Sequence, residues 1–188
     1  VMHMNRLISY ISLLFLISFS SFPQNFLSTS GKSIVNEMGD TIILRGMGLG
    51  GWMVQEGYMM APGGFSSTQY QIRDKLTELI GPQETDIFYD NWLSNHVRKI
   101  DIDSMKQWGF NLVRAPINYN LFTEPIQNEP YPFAYTEKEK GYQLLDSLLS
   151  WCKQNEIYLM IDLHAAPGGQ GYNADISDYD PSKPSLWE

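Results

Sequence analysis

Arg114 and His164 stand at equivalent places, each directly after a short apolar segment, and both side chains suit the binding of a polar reactant. Residues 157–161 form an uninterrupted apolar run that continues into Asp-Leu-His at 162–164, while residues 110–113 lead into Arg114. An uninterrupted apolar run is typical of a parallel strand buried on both faces. In α/β folds, ligands bind where such strands end. A guanidinium there can hold a carboxylate, and an imidazole can donate to a ligand hydroxyl.

The segments around these residues alternate between strand and helix patterns. In chain order, we predict a hairpin around residues 38–40, a strand at 46–52, a helix opened by a capping box at 66–69 and closed at 81–82, helices from about 84 and over 101–108, a strand at 111–115, a helix after 136 and a strand at 157–163. This order predicts an α/β protein, namely about three βα units of a (β/α)8 TIM barrel after an N-terminal β-hairpin. Because a complete barrel needs roughly 250 residues, the 188-residue chain is expected to be its truncated N-terminal part.

Several side chains have predicted structural places. Asp101 is expected to cap the helix that begins there, and Thr136 is expected to cap the helix that leads into the third strand. Cys152 is the only cysteine and falls on the apolar face of that last helix, so we expect a buried thiol. Three helical tryptophans are expected in the core: Trp92, Trp108 and Trp151.

Residues 1–20 have the organisation of a secretory signal peptide. Arg6 supplies a positive charge, residues 7–19 are largely apolar, and Ser18 and Ser20 offer small residues for cleavage. The segment is short for a membrane helix. We therefore expect a secreted or periplasmic protein with no stable membrane span after cleavage, in which residues 21–188 form the truncated barrel domain.

The charge and the histidine pattern limit the partners of the chain. The formal net charge is −8, which disfavours nucleic acid and anionic membranes and has no bearing on uncharged sugars. No metal site is indicated, because His164 lacks a second histidine or carboxylate at ligand spacing nearby.

Three motifs, in order along the chain, resemble glycoside hydrolase family 5, the cellulase-like barrels, and within it the exo-β-1,3-glucanase branch. Residues 45–56 are similar to RGxNLGGWLVxE, residues 109–117 to GxNxVRIPI, and residues 162–170 to DLHGAPGSQ. The resemblance covers roughly residues 31–188. It implies a retaining hydrolase of β-glucans that needs no cofactor.

The resemblance also implies where the two catalytic carboxylates lie. The acid/base is expected in an Asn-Glu-Pro after strand four and the nucleophile after strand seven, about 5–5.5 Å apart in the folded enzyme. Because only three strands are predicted here, both are expected beyond Glu188, and this chain should be inactive by itself. Glu129 also stands in an Asn-Glu-Pro, but no strand precedes it, so we predict a solvated loop carboxylate.

Five residues are candidates for substrate binding or for support of the active site. The resemblance assigns Arg114 to the nucleophile and Glu56 to hydroxyls of the terminal sugar, while His164 would donate to a hydroxyl near the cleavage point. Structural alternatives are an ion pair for Arg114, a backbone-satisfied core residue for His164 and a surface carboxylate for Glu56. Tyr172 and Asn173 would provide an aromatic wall and a polar contact in the cleft.

Two other functions compete with the β-glucan hydrolase. A non-catalytic carbohydrate-binding protein on the same scaffold would keep Arg114, His164 and the aromatic residues, but would lack the carboxylate pair. A metal-dependent barrel hydrolase built around His164 would lose its activity to a strong chelator.

Overall fold

The computed structural model describes residues 26–61, 64, 66–132, 134–171 and 177–183. The predicted signal segment and the candidates Tyr172 and Asn173 lie outside the described residues. The chain divides into two compact units, Val1–Ile43 and Leu44–Glu188.

The first unit contains the expected N-terminal hairpin, but earlier in the chain than predicted. Strands β1 (Ser28–Ser30) and β2 (Ser33–Val35) pair in antiparallel orientation. Gly31 adopts a φ of 59° in the turn between them, a conformation that glycine accepts without steric penalty. The predicted pairing across residues 38–40 is limited to a single bridge between Val35 and Thr41 and two backbone hydrogen bonds, from the Asn36 N–H to the Asp40 carbonyl and from the Ile42 N–H to the Ile34 carbonyl.

The second unit is built on a parallel three-stranded sheet with the order β3-β4-β5. Its strands are β3 (Gly46–Gly48), β4 (Leu112–Asn118) and β5 (Tyr158–Ala165). Its helices are α1 (Gly57–Met60), α2 (Gln69–Ile80), α3 (Pro82–Asn95), α4 (Lys99–Gln107) and α5 (Glu139–Gln154), with 3-10 turns at Tyr119–Leu121 and Ile126–Asn128. Within the described ranges, no helix has the length and apolar character needed to cross a membrane.

The core of this unit lies between the sheet and the helices that cover it. Val113 and Ala115 of β4 are fully buried, as are Ile102 of α4 and Leu148 of α5. Residues 113 and 115 project from the same face of the strand because side chains alternate along it. Arg114 therefore projects from the opposite face, away from the helical layer.

The predicted end of α2 is confirmed, but the capping box that opens it lies two residues later than the one predicted at 66–69. Thr68 caps the helix by accepting a hydrogen bond from the Gln71 N–H, while the Gln71 side chain accepts from the Thr68 N–H, both at 3.4 Å. Gly81 ends the helix with a φ of 85°. Pro82 then opens α3 at its first position, where a missing N–H is tolerated.

Two cap predictions and one core prediction are wrong. Helix α4 begins at Lys99, and Asp101 lies inside its first turn, where its carboxylate accepts from the Arg98 N–H at 2.7 Å. Helix α5 begins at Glu139 with Lys138 at its N-cap, because Thr136 is already bonded to a carboxylate of the preceding loop. Trp108 is 70% exposed, since it follows the last turn of α4 rather than packing within it.

The thiol of Cys152 is expected to be almost unreactive in the folded protein. The side chain is fully buried, and this burial raises the pKa of the thiol to about 11. Since the thiolate is the nucleophile, iodoacetamide at pH 8 should label the folded protein at least about 100-fold more slowly than the urea-unfolded protein. Mass spectrometry of the tryptic peptide that spans residues 141–153 reports the label.

Because the pKa of Cys152 is raised, the folding stability of the protein is expected to fall as the pH rises. The stability contributed by the protonated thiol is fully present below the unfolded pKa of about 8.5. It is lost as the pH rises from there through about 11, because only the unfolded chain ionises freely in that window. Equal labelling rates in the folded and unfolded states would contradict a buried Cys152.

Candidate active site

Neighbouring parallel strands bring Arg114, Asp162 and His164 together. In β5, residues 162 and 164 lie two apart and therefore project from the same face. Parallel pairing sets Arg114 beside Met160 and Pro116 beside Asp162, so the guanidinium reaches the carboxylate on the next strand. The polar cluster thus joins Arg114, the third residue of β4, to residues near the carboxyl end of β5. The prediction that Arg114 ends its strand is wrong, because β4 continues to Asn118.

The contacts in this cluster converge on a single oxygen. The Arg114 Nη2 donates to Asp162 Oδ2 in a short ion pair. The His164 Nδ1 lies 3.0 Å from the same oxygen and 3.1 Å from the Arg114 Nη2. All three side chains remain partly open to solvent, with exposed fractions of 42% for Arg114, 28% for Asp162 and 21% for His164.

Glu56 joins the cluster from the segment that follows β3. Its Oε1 lies 3.1 Å from the His164 Nε2, and the residue is only 4% exposed. Glu56 also forms a bridge to Thr68, and the next residue, Gly57, donates its N–H to the Ser67 carbonyl at 2.7 Å. The backbone of this segment is therefore fixed on both sides of the carboxylate.

The partners of His164 define which hydrogen bonds each of its ring nitrogens can make. When the neutral ring carries its hydrogen on Nε2, both nitrogens have a hydrogen-bond partner, because Nε2 donates to Glu56 and Nδ1 accepts from Arg114. The doubly protonated ring donates to Glu56 and to Asp162. The neutral ring therefore joins Glu56 to Arg114, and the doubly protonated ring joins Glu56 to Asp162.

Tyr58 is a further member of the polar cluster, and it was not identified from the sequence. Its hydroxyl donates to Glu56 Oε2 at 3.2 Å. Desolvation, and then the charge of Glu56, raises the pKa of Tyr58 above its ordinary value, so the phenol is a donor at neutral pH. The only signal in the sequence was the position of a tyrosine two residues after a candidate carboxylate.

Residues 170 and 178, which follow β5, make a second group of polar contacts. Asp178 accepts from the Tyr70 N–H at the start of α2 and from the Asn118 side chain at the end of β4, both at 2.9 Å. Burial raises the pKa of Asp178, and its hydrogen bonds act in the opposite direction. The Gln170 side chain donates to the carbonyl of His164 at 2.8 Å. Residues 170 and 178, on either side of the predicted wall positions 172 and 173, are therefore anchored.

Glu129 takes no described part in the polar cluster of Glu56, Arg114, Asp162 and His164, and it is a half-exposed carboxylate in the loop after β4. Its two oxygens accept from the Thr136 N–H at 2.9 Å and from the Thr136 hydroxyl at 2.7 Å. Glu129 thus connects two positions of its own loop by hydrogen bonds. The Asn-Glu-Pro tripeptide has a structural contact here.

The polar cluster of Glu56, Tyr58, Arg114, Asp162 and His164, called the strand-end cluster, offers hydrogen-bond acceptors and donors suited to a polyhydroxylated ligand. Glu56 supplies carboxylate oxygens, while Arg114 and Tyr58 supply donors and His164 supplies a ring nitrogen on each side. Among the described residues, no group of three or more histidine, cysteine, aspartate or glutamate side chains is arranged to hold a metal ion.

Comparison with solved structures first defines the class of fold. The structure resembles the rutinosidase from Aspergillus niger, with a TM-score of 0.51 and 21% identity over 66% of this chain and 34% of that chain. It also resembles AoRut, with a TM-score of 0.55 and 18% identity over 73% of this chain and 36% of that chain. The second unit is accordingly a partial (β/α) barrel.

Comparison of sequences then defines the family. Residues 69–186 match the model of Cellulase (glycosyl hydrolase family 5). The chain belongs to glycosyl hydrolase family 5, and its resemblance to the exo-β-1,3-glucanase type is confirmed.

The similar curated proteins are much longer than this chain. A beta-xylosidase of Phanerodontia chrysosporium is 34% identical over 164 residues, which are 87% of this chain and 32% of that protein. Glucan 1,3-beta-glucosidase 2 of Saccharomyces cerevisiae is 32% identical over 155 residues, covering 70% of this chain and 26% of that protein. A probable glucan 1,3-beta-glucosidase A of Aspergillus niger is 33% identical over 130 residues, covering 68% of this chain and 29% of that protein. The chain thus spans about a third, or less, of the length of these relatives.

Proposed function

We propose that this chain is the N-terminal portion of a retaining glycoside hydrolase that acts on β-glucans. The observation that carries the proposal is the cluster of Glu56, Arg114 and His164 at the strand ends of a family 5 barrel. Relatives named glucan 1,3-beta-glucosidases support the choice of substrate class. The apolar segment at residues 7–19 supports a secreted or periplasmic location.

The exposed side chains of the edge strand β5 support the proposal of a larger barrel. Among the described strands, β5 pairs only with β4. Its apolar side chains Met160, Ile161 and Leu163 are 47%, 54% and 46% exposed. Strands of parallel sheets are normally covered on both faces, so this exposure is unusual. A further strand and helix would cover them, and the chain would then contribute three of eight strands.

In this proposal the described residues bind and orient rather than perform the bond-breaking steps. Glu56 and His164 accept from and donate to hydroxyls of the sugar beside the scissile bond, and Tyr58 holds Glu56 from its other oxygen. Arg114 holds a nucleophilic carboxylate of the remaining barrel. The two catalytic carboxylates lie outside residues 1–188, about 5–5.5 Å apart, so the isolated chain has no turnover.

The direct test is the stereochemistry of hydrolysis by the complete protein. With β-1,3- and β-1,4-glucan oligosaccharides as substrates, proton NMR should show the β-anomer of the released sugar before mutarotation, because two displacements retain configuration. The 188-residue chain alone should release no sugar. Initial release of the α-anomer would contradict a retaining enzyme, and binding without hydrolysis would favour the carbohydrate-binding alternative. Loss of activity to a strong chelator would favour a metal-dependent hydrolase.

The Glu129→Gln variant of the complete protein separates the loop glutamate from a catalytic acid. Loss of a general acid typically lowers the rate about 10²–10⁴-fold. Since Glu129 is engaged by Thr136, we expect kcat/KM on an aryl β-glucoside to fall by less than about threefold. A loss above about a hundredfold, with an unchanged melting temperature, would assign catalysis to Glu129 instead.

A further inference from the structure

Three exposed tyrosines lie on and beside the loop that follows β4. Tyr131 and Tyr135 belong to the tyrosine loop, whose described residues are 129–132 and 134–138, and Tyr142 lies in the first turn of α5. Their exposed fractions are 66%, 62% and 42%. The hydroxyls of Tyr135 and Tyr142 are 3.4 Å apart, so these two exposed side chains lie next to each other. Adjoining exposed aromatic side chains offer a surface on which a ligand can pack.

The tyrosine loop is held by hydrogen bonds rather than left free. The Glu129 carboxylate accepts twice from Thr136, at 2.9 and 2.7 Å. The Glu124 N–H donates to the Thr136 carbonyl at 3.0 Å, and the Lys138 N–H donates to the Phe122 carbonyl at 2.8 Å. Residues 129, 136 and 138 of the loop are therefore held by hydrogen bonds before any ligand arrives, which reduces the entropy lost on binding.

The ring of Tyr142 is also positioned in advance. It packs edge to face on Phe122, with ring centroids 5.2 Å apart and an interplanar angle of 87°. The hydrogen bond with Tyr135 raises the pKa of Tyr142, so its phenol remains protonated at neutral pH. The surface therefore presents ring faces together with hydroxyls that donate and accept.

We propose that Tyr131, Tyr135 and Tyr142 form a platform that binds a β-glucan chain, in addition to the strand-end cluster. Tyrosine is amphipathic in the way a pyranose is, because ring faces pack on C–H surfaces while the phenol meets hydroxyls. Two nearby cations are already neutralised, since Lys138 pairs with Glu124 and Lys140 with Asp90. The net charge of −8 also disfavours an anionic polymer. An uncharged polysaccharide fits this surface best.

The platform goes beyond the proposed hydrolysis and rests on it only for the choice of β-glucan as the ligand. It shares no residue with the cluster of Glu56, Arg114 and His164. Its contribution would be retention of the polymer on the protein, without any chemical step.

The test is affinity electrophoresis of the complete protein in native gels that contain a soluble β-1,3-glucan. The Tyr135→Ala variant should bind the glucan about tenfold more weakly than the wild type. Tyr142→Phe keeps the packing on Phe122, removes one hydroxyl and should be intermediate. Trp108→Ala is the matched control, because Trp108 is equally exposed but precedes β4 at the other end of the strand, and its retardation should equal that of the wild type.

A kinetic ratio provides a second readout. The ratio of kcat/KM on the polymer to kcat/KM on an aryl β-glucoside should fall about tenfold in Tyr135→Ala. Unchanged retardation and an unchanged ratio in this variant would overturn the platform, as would equal losses in Trp108→Ala. Wild-type protein that hydrolyses the aryl glucoside without retardation would overturn the platform alone. Retardation that depends on Tyr135 without any hydrolysis would support the platform and overturn the proposed function.

Discussion

The Arg114→Ala variant of the complete protein is expected to hydrolyse β-glucan with a kcat/KM about 10²–10³-fold below that of the wild type. Arg114 is the charged donor at the point where β4 and β5 meet, and it contacts both Asp162 and His164. Its removal leaves Asp162 without its cation, leaves the His164 Nδ1 without a donor, and deprives the proposed nucleophile of its partner. Steady-state kinetics on a soluble β-glucan oligosaccharide measure the loss.

Arg114→Lys is the matched variant for this prediction. It keeps the charge but loses the planar fork that contacts two groups at once, so an intermediate loss is expected. Because the side chain of Arg114 is 42% exposed, the ion pair should contribute under about 1 kcal/mol to stability, and both variants should melt close to the wild type. Activity of Arg114→Ala within threefold of the wild type would show that Arg114 serves only the pairing of the strands.

The Gly57→Ala variant is expected to lose about 2–3 kcal/mol of folding free energy, together with the placement of Glu56. A Cβ at position 57 would lie 2.5 Å from the Ser67 carbonyl oxygen and 2.6 Å from the Ser67 Cα. Both obstacles are backbone atoms, so one of the two segments must move. One segment carries Glu56, and the other carries Thr68, the N-cap of α2.

Thermal unfolding followed by circular dichroism tests this prediction. For a domain of this size, the loss corresponds to a fall in Tm of roughly 4–12 °C. Gly48→Ala is the control, because a Cβ at that position meets nothing within 4 Å. If Gly57→Ala and Gly48→Ala melted at the same temperature as the wild type, the close approach of residues 57 and 67 would be wrong.

The parallel strands and their polar ends could be predicted because the signal is local. The apolar run at residues 157–161 and the segment that leads into Arg114 both become strands of the sheet. The presence of a capping box before α2 was predictable for the same reason, since its two partners are neighbours in the chain, but the pair that forms it is Thr68 and Gln71 rather than residues 66 and 69.

The partners within the site could not be predicted in the same way. The contact between Glu56 and His164 joins residues 108 positions apart, and the pairing of Arg114 with Asp162 depends on strand register. The cap assigned to Thr136 failed because Glu129, in the preceding loop, binds the same residue. Local patterns define which groups are available, whereas tertiary packing decides which of them meet.

The most direct test of the site is a crystal structure of the complete protein with a β-glucan oligosaccharide bound. We predict a sugar unit beside the strand ends, with hydroxyls within about 3.2 Å of the Glu56 carboxylate and the His164 ring. A productively bound oligosaccharide that contacts neither Glu56 nor His164 would contradict the assignment of this cluster to substrate binding.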